Sequence, residues 1–196
     1  MPSKIAIWNM ALGFIGTRTV ASADENTPEA IQCKLFWDNA RRQALRDYPW
    51  NFAQRRAWLA AIPVPEGWEL EYTHAYTLPE DCLKALRVLE GGRSEQRFVL
   101  AHDVHRGATV LLSHAAAALL CYTADLQRAD EFDDLFQSLM ARKLASLVCV
   151  PLLKNNSGKV KELEQLYAVA LAAALSANGS EGAEEEKKDS WLESRN

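Results

Sequence analysis

The stretch LRDYPWNFAQRRAWL, residues 45–59, decides how this chain is organised. A helical pattern enters it from Pro28 and ends at Pro49, because proline lacks a backbone N–H and disfavours helical geometry at the residue before it. Two large aromatic residues follow, and side chains of this size are too apolar to leave in water. We therefore predict that the stretch folds the chain back and wedges the junction between helices. The predicted wedge residues are Pro49, Trp50, Phe52 and Trp58.

Two helices are predicted before this wedge. The first spans Ser3 to Ile15, with Ser3 as its N-cap and apolar residues on nearly every side, as in a core helix. The second begins at Thr27 and Pro28, a capping residue followed by a proline at the first helical position, and runs to about Tyr48.

The second helix carries apolar residues on two sides. A stripe from Cys33 to Tyr48 has helical spacing and predicts the core face. On the other side Ile31, Leu35 and Leu45 lie among charged residues, which indicates a surface for a partner. Scattered surface apolar residues are the alternative interpretation. The predicted subunit interface comprises Ile31, Leu35, Arg41, Arg42 and Leu45.

A small antiparallel β region is predicted for residues 61–127. Prolines and a glycine break any helix after residue 61, and apolar residues then alternate with polar ones from Trp68 to Leu78, which is the period of a strand. Shorter strands are predicted at 83–89, 97–101 and 108–113. Residues 115–126 are ambiguous, since their alanines favour a helix.

Two further helices are predicted after the β region, from Asp130 to about Val150 and from Lys159 to about Ala177. Residues 178–189 are almost wholly polar and predict a segment without regular structure. The pair Trp191 and Leu192 then suggests a docking peptide at the end of a tether, and a chance apolar pair is the alternative.

These patterns predict a mainly helical α+β protein. Residues 1–60 and 128–177 supply the helices of a bundle, residues 61–127 form the inserted β region, and residues 178–196 form an extended arm. The net charge is −4, and residues 181–196 hold six acidic and three basic residues, so the rest of the chain is close to neutral. Such a balance does not favour strong general attraction to nucleic acid.

Composition also sets expectations about the compartment. The four cysteines are far apart, no signal-peptide pattern is present, and no apolar run reaches the roughly 20 residues that span a bilayer. We expect reduced cysteines, synthesis in the cytoplasm and no membrane partner.

No catalytic or metal-binding motif is found. His102 and His105 are two potential ligands, but they lie in a predicted loop without a third ligand. Phosphate-binding, dinucleotide and nucleophile-elbow motifs are absent. The prediction is therefore a protein without enzyme activity, metal or cofactor. A dense group of arginines between Arg41 and Arg56 could contact phosphates or form ion pairs at a subunit boundary.

The order of several motifs along the chain resembles the tail tubular protein A family, whose members are head-to-tail adaptors of short-tailed and related tailed bacteriophages. The resemblance covers nearly the whole chain, and PWNFA followed by LPEDCL is its most specific part. Residues 107–118 depart from the family pattern. The motifs are IAIWNMALG (5–13), RRQALR (41–46), YPWNFA (48–53), RAWL (56–59), YTLPEDCL (76–83) and SWL (190–192).

This resemblance implies a structural virion protein of the phage neck that assembles into a ring of identical subunits, a dodecamer in such adaptors. The ring would bind the portal protein on one side and the tail nozzle or fibres on the other, and double-stranded DNA would pass through it without sequence-specific contacts. It also implies a strand ending at residues 122–125. The predicted portal-docking residues are Ser190, Trp191, Leu192, Glu193, Ser194 and Arg195.

Two alternatives remain open at this point. The Arg41–Arg56 group could serve a DNA-binding accessory module. A tail-associated hydrolase is the second alternative, although no pair of carboxylates with suitable spacing supports it.

Overall fold

A computed structural model describes the backbone of residues 3–154 and 156–193, and the side chains of these residues except 178–193. The described residues form four α-helices and two four-stranded antiparallel sheets, which confirms the predicted mixture of helices and strands. The chain divides into two compact units. A helical unit comprises the residues up to Phe52 and from Gln127 onward, and a β unit comprises Ala53–Leu126.

The helical unit begins with two capped helices, as predicted. The side chains of Ser3 and Thr27 accept hydrogen bonds from the backbone N–H groups of Ala6 and Ala30, three residues further on. Asp133 caps the third helix in the same way. The helices are α1 (Lys4–Ile15), α2 (Pro28–Asp47), α3 (Asp134–Leu152) and α4 (Ser157–Glu193).

Helix α3 lies at the centre of the helical unit, because it packs against α1, α2 and α4. Its inward residues include Phe136, Leu139 and Leu144, which are almost completely buried. Among the described helices it is also the one whose length and composition would allow it to cross a membrane, but half of that stretch is buried by other parts of the chain. Such burial is typical of a core helix.

The β unit contains two sheets whose paired strands are all antiparallel. Its strands are β1 (Gln54–Trp58), β2 (Ala61–Ile62), β3 (His74–Thr77), β4 (Cys82–Glu90), β5 (Ser94–Gln96), β6 (Phe98–Asp103), β7 (Ala108–Ser113) and β8 (Ala118–Ala124). One sheet has the order β1-β8-β4-β5 and the other has the order β2-β3-β7-β6.

The boundaries of the β unit differ from the prediction. The unit begins at Ala53 rather than at residue 61, because residues 54–58 form a strand that pairs with β8. The ambiguous residues 115–126 contain β8, which lies between β1 and β4 and buries Leu120 and Tyr122. Position inside a sheet therefore overrides the helix preference of the alanines.

The long strand predicted from Trp68 to Leu78 is wrong for its first half. Residues 68–72 form a turn in which the N–H groups of Glu71 and Tyr72 bind the carbonyl of Trp68, and regular pairing begins at His74. Trp68 and Tyr72 pack against the buried cluster of Ala75, Ala101, Val110 and Leu112. The alternation of apolar and polar residues in this segment therefore arises because the rings of Trp68 and Tyr72 cover the second sheet, and not because the segment is a strand.

The extended arm predicted after Ala177 is also corrected. Helix α4 continues to Glu193 instead of ending near residue 177. Its sequence is polar, but alanine, glutamate and lysine are strong helix formers, and this propensity outweighs the absence of apolar residues.

Candidate subunit interface

The junction between α2 and α3 is held by an aromatic cluster. The indole of Trp50 is buried and donates a hydrogen bond to the carbonyl of Ala44 at 2.9 Å. Its ring lies 5.2 Å from that of Phe136 in an edge-to-face arrangement, and Phe52 lies 5.1 Å from Phe136. These contacts join the end of α2 to the first turn of α3, and Pro49 is half-buried beside them.

Trp58 does not belong to this cluster, which corrects its assignment as a wedge residue. It is the last residue of β1, and 61% of its surface is exposed. The reason is the strand itself, because β1 carries Trp58 into the β unit, where its ring lies beside Gly92.

The outer face of α2 carries two exposed apolar residues. Ile31 is 47% exposed and Leu35 is 67% exposed, and they are four residues apart, so they lie side by side on the helix. Asp38, Arg42 and Arg46 are exposed and continue the same stripe at helical spacing. We define this set, Ile31, Leu35, Asp38, Arg42 and Arg46, as the outer stripe of α2.

Two residues predicted for the interface are buried inside the helical unit instead. Leu45 is fully buried, and Arg41 is 3% exposed with its Nε 3.4 Å from the carboxylate of Asp38. Arg41 and Leu45 are four residues apart and neighbour the core residues Ala40 and Ala44, so the core face of α2 is wider than the stripe from Cys33 to Tyr48.

A shallow depression of about 240 Å3 lies beside Ile31. Its other wall is the loop of residues 23–26, and Ala30 and Lys34 complete it. Asn9 on α1 fixes the start of this loop, because its side chain donates to the carbonyl of Val20 at 2.9 Å and accepts from the N–H of Val20 at 2.8 Å.

Helix α4 has a second exposed apolar face that the sequence-based reasoning missed. Leu166 is 41% exposed and Val169 is 69% exposed, whereas Leu163, Tyr167 and Ala174 face the core. Residues 165–177 contain no charged side chain, although Ala172, Ala173 and Ser176 are exposed as well. The lack of charge over these thirteen residues of a helix could have indicated, from the sequence, that α4 has an exposed apolar face in addition to its buried one.

The arginines between Arg41 and Arg56 are divided between the helical unit and the β unit. Arg41 is buried, and Arg42 lies on the outer stripe of α2. Arg55 and Arg56 belong to β1 in the other unit, where neighbouring side chains point to opposite faces of the sheet. Arg55 also lies 4.0 Å from the carboxylate of Asp81. No observation therefore favours the DNA-binding alternative.

His102 lies in strand β6, and His105 lies in the turn between β6 and β7, so the loop predicted for both is wrong for His102. Between these histidines, the buried carboxylate of Asp103 accepts hydrogen bonds from the N–H groups of His105 and Arg106 and pairs with the Arg106 guanidinium at 3.1 Å. This carboxylate therefore stabilises the turn. Within residues 3–154 and 156–177, no group of three or more His, Cys, Asp or Glu side chains could hold a metal ion.

Two of the cysteines are poor nucleophiles. Burial, with a smaller contribution from Glu29, raises the pKa of Cys33 to about 12, and burial also raises the pKa of Cys149. Both thiols therefore remain protonated near neutral pH.

The predicted docking residues Ser190, Trp191, Leu192, Glu193, Ser194 and Arg195 lie outside the residues whose side chains the structure describes. No protein-family model matches the chain, and no curated protein matches it either.

Proposed function

We propose that this chain is a structural subunit of a bacteriophage head-to-tail adaptor. Copies of it form a ring between the portal and the tail nozzle, close the packaged head and line part of the channel through which DNA is ejected. The chain acts as a virion protein without enzyme activity, cofactor or membrane partner.

The observation that carries this proposal is the presence of two different exposed apolar faces on one helical unit. Ile31 and Leu35 mark the first face, on α2, and Leu166 and Val169 mark the second, on α4. A ring requires two different complementary surfaces on each subunit, because every contact joins the front of one copy to the back of the next. The resemblance in motif order then suggests which kind of ring it is.

The organisation of the chain supports the same proposal. Helices at both ends of the sequence form one unit, and the β unit is inserted between them. In the proposed ring the helical units form a bundle that packs side by side with its neighbours. The inserted β units contact the nozzle or the tail fibres.

The near-neutral body suits a channel for DNA. The whole chain has a net charge of −4, of which residues 181–196 contribute −3. Each phosphate that a protein neutralises adds salt-dependent affinity, so a channel wall with little net positive charge lets DNA slide past.

Co-sedimentation with the portal ring encoded in the same genome tests the proposal. The full chain is compared with a chain truncated after Ala177. Circular dichroism and cooperative unfolding first verify that both chains are folded. We expect the full chain to sediment with the portal and the truncated chain to remain in the supernatant, because the residues from Ser190 to Arg195 dock on the portal. If neither chain binds the portal, the adaptor function is wrong.

A further inference from the structure

We infer that the β units of neighbouring copies contact each other, and that an acidic turn of one copy docks on a basic face of the next. The acidic turn comprises residues 66–71. The face belongs to the first sheet (β1-β8-β4-β5), and we call it the Trp58 face after its exposed aromatic residue. This contact rests on the proposed ring and adds a second surface that holds neighbouring copies together.

The register of the first sheet places two arginines on the Trp58 face. Arg56 on β1 and Arg87 on β4 both lie directly opposite Cys121 on β8, and directly opposite residues of antiparallel strands share a face. Their Cα atoms are therefore separated by two strand spacings, about 10 Å. Both arginines are exposed, and neither forms an ion pair with a side chain that the structure describes. The face thus offers two guanidinium groups to the carboxylates of a partner.

The indole of Trp58 forms an apolar platform beside these arginines. Trp58 follows Arg56 by two residues, so it lies on the same face. A Cβ atom at Gly92 would lie 3.7 Å from Cδ2 of Leu119 and 3.8 Å from Cη2 of Trp58, so the ring reaches the turn that follows β4. These neighbours position the ring, although 61% of the residue is exposed. Tryptophan and arginine are the residue types that most often dominate the binding energy of protein interfaces.

The acidic turn presents Leu70 on a fixed backbone. The N–H of Glu71 donates to the carbonyl of Trp68 at 3.1 Å, and the carboxylate of Glu69 accepts a hydrogen bond from the N–H of Gly67 at 2.7 Å. Leu70 is fully exposed and is the most exposed large apolar residue among those described. Because the turn is already ordered, docking costs little conformational entropy.

Charge is unevenly distributed in the β unit. Residues 53–126 hold seven basic and nine acidic residues, so their net charge is −2. Lys84 also lies on the Trp58 face, because it is opposite Thr123, two residues along β8 from Cys121. The strands therefore place three basic residues on this face against one acidic residue, Glu95, which is opposite Leu89. The face is basic although the unit is acidic.

The acidic turn complements the Trp58 face. It contains no basic residue, and Leu70 lies among its three glutamates, Glu66, Glu69 and Glu71. In the contact Leu70 packs on the ring of Trp58, and the glutamates meet Arg56 and Arg87. Each surface has an apolar centre with a charged rim, and the two rims have opposite charge. The occupant that fits the Trp58 face is therefore a second copy of this chain.

The two surfaces lie on opposite sides of the β unit. The acidic turn is anchored on the face of the second sheet that carries Ala75. The opposite face carries Tyr76, which is 1% exposed and donates its hydroxyl proton to the carbonyl of Ala115. Burial and, to a smaller extent, the charge of Glu90 on β4 raise the pKa of Tyr76. The second sheet thus meets the first through the face of Tyr76, and one copy cannot place its own turn on its own Trp58.

Both surfaces lie at the same end of the β unit. The ring of Tyr72, next to the acidic turn, stacks on His114 with 5.5 Å between the ring centres. Strand β8 begins shortly afterwards at Ala118, and Trp58 pairs with Leu119 there. Rotation about a ring axis leaves each residue at its own level along that axis. With the axis along the strands, the turn of one copy therefore reaches the level of Trp58 in the next.

Charge reversal in the full chain tests the contact. The first variant carries Arg56→Glu with Arg87→Glu, and the second carries Glu66→Lys with Glu71→Lys. Each variant alone brings like charges together and should raise the dissociation constant for assembly by about tenfold or more. An equimolar mixture should recover wild-type assembly, because the reversed face of one variant fits the reversed turn of the other.

Two controls accompany these variants. All four positions are exposed, and denaturant unfolding verifies that each variant is as stable as the wild type. Glu80→Lys is the matched control for Glu71→Lys alone. Glu80 is exposed and precedes β4, where Cys82 is opposite Ala124 at the far end of β8. It should leave assembly unchanged.

Cross-linking locates the contact independently. A chain with Leu70→Cys and Arg56→Cys, treated with a short bis-maleimide, should form a ladder of covalent multimers, since each copy joins two neighbours. Leu70→Cys with Glu80→Cys is the matched control, and single variants measure the background of the native cysteines, which are buried except for the half-buried Cys82. Covalent dimers alone would indicate a twofold pair and overturn the inference.

The remaining outcomes separate this contact from the adaptor function. Normal assembly of both reversed variants, or no recovery in their mixture, would overturn the inference, while portal binding by the full chain would leave the adaptor function intact. Loss of binding to the tail nozzle protein without a change in assembly would make that protein the occupant. Retention on DNA that depends on Arg56 and Arg87 would make the face a phosphate site, and the inference would again be wrong. If the wild-type chain neither assembles nor binds the portal, both proposals fail.

Discussion

The hydroxyl of Tyr167 on α4 donates a hydrogen bond to the carboxylate of Asp47, the last residue of α2. The two residues are far apart in sequence, and their bond ties the outer helices of the unit together. Burial, the hydrogen bond to Asp47 and the charge of Asp47 together raise the pKa of Tyr167 well above its usual range. The folded state therefore binds the phenol proton more tightly than the unfolded chain does.

This pKa shift predicts a loss of stability at alkaline pH. The contribution of Tyr167 is complete below the pKa of a tyrosine in the unfolded chain, about 10, and it falls as the pH rises toward the higher folded pKa. Above pH 10, the free energy of unfolding should fall more steeply for the wild type than for Tyr167→Phe, by up to about 1.4 kcal/mol per pH unit.

Urea unfolding of both proteins between neutral pH and the alkaline limit checks this difference. Near neutral pH the substitution should cost about 1 kcal/mol, because one hydrogen bond to a partly solvated carboxylate is lost. Burial also raises the pKa of Tyr76 and Tyr122, but these residues are present in both proteins and cancel in the comparison. Identical slopes would show that Tyr167 is not coupled to folding.

Two tryptophans provide a matched pair for the aromatic junction. Trp50→Ala should lower the free energy of unfolding by about 3–5 kcal/mol, since it removes a buried indole and its bond to Ala44. Trp58→Ala should change it by less than about 1 kcal/mol, since that ring is mostly exposed. Denaturant unfolding of both variants measures the contrast, and an unchanged midpoint for Trp50→Ala would refute the account of the junction.

Arg41 and Arg42 are adjacent in sequence, but Arg41 is buried and Arg42 is exposed, so charge reversal should affect stability differently at the two positions. Arg41→Glu should cost about 3 kcal/mol, because it buries a reversed charge beside Asp38. Arg42→Glu should change stability by no more than about 0.5 kcal/mol, because Arg42 is exposed.

Retention of the wild-type chain on double-stranded DNA at moderate salt checks the alternative function in parallel. We expect no retention, since a net charge of −4 does not favour general attraction to DNA. Retention that disappears with Arg42→Glu, in a protein that remains folded, would support the DNA-binding module instead.

The hydrogen bonds of Asn9 to Val20 hold the loop next to Ile31, and a substitution at Asn9 tests whether this loop contributes to assembly. Asn9→Ala removes two hydrogen bonds to the backbone of the buried Val20 and should cost about 2 kcal/mol. It should also weaken assembly of the proposed ring, because the loop of residues 23–26 lies beside Ile31, which marks the first of the two exposed apolar faces. Asn39→Ala is the control, since Asn39 accepts a bond from Gln43 on the exposed side of α2. Equal effects of the two changes on assembly would argue against a role for this loop.

Features encoded by a few neighbouring residues could be predicted from the sequence. The starts of α1 and α2 depend on Ser3 and Thr27, each of which caps an N–H group three residues away. The mixture of helices and strands followed from two clear periodicities. Trp50 could be expected at the junction because Pro49 must end α2 and the indole must leave water.

Features set by distant neighbours could not be predicted in this way. Arg41 and Leu45 are buried by the packing of the helical unit, and the sequence of α2 alone does not show how wide its buried face is. Residues 68–72 alternate like a strand but pack as a turn over the second sheet. The exposure of Leu166 and Val169 likewise depends on which side of α4 faces α3.

The central claim is a ring of identical subunits. Native mass measurement of the purified full chain, followed by electron microscopy of the same sample with and without the portal, tests it most directly. The account predicts closed rings with a central opening and one rotational symmetry, a dodecamer as the resemblance implies, stacked coaxially on the portal when it is added. Particles of a single 21.9 kDa chain, or twofold pairs that never join the portal, would contradict it.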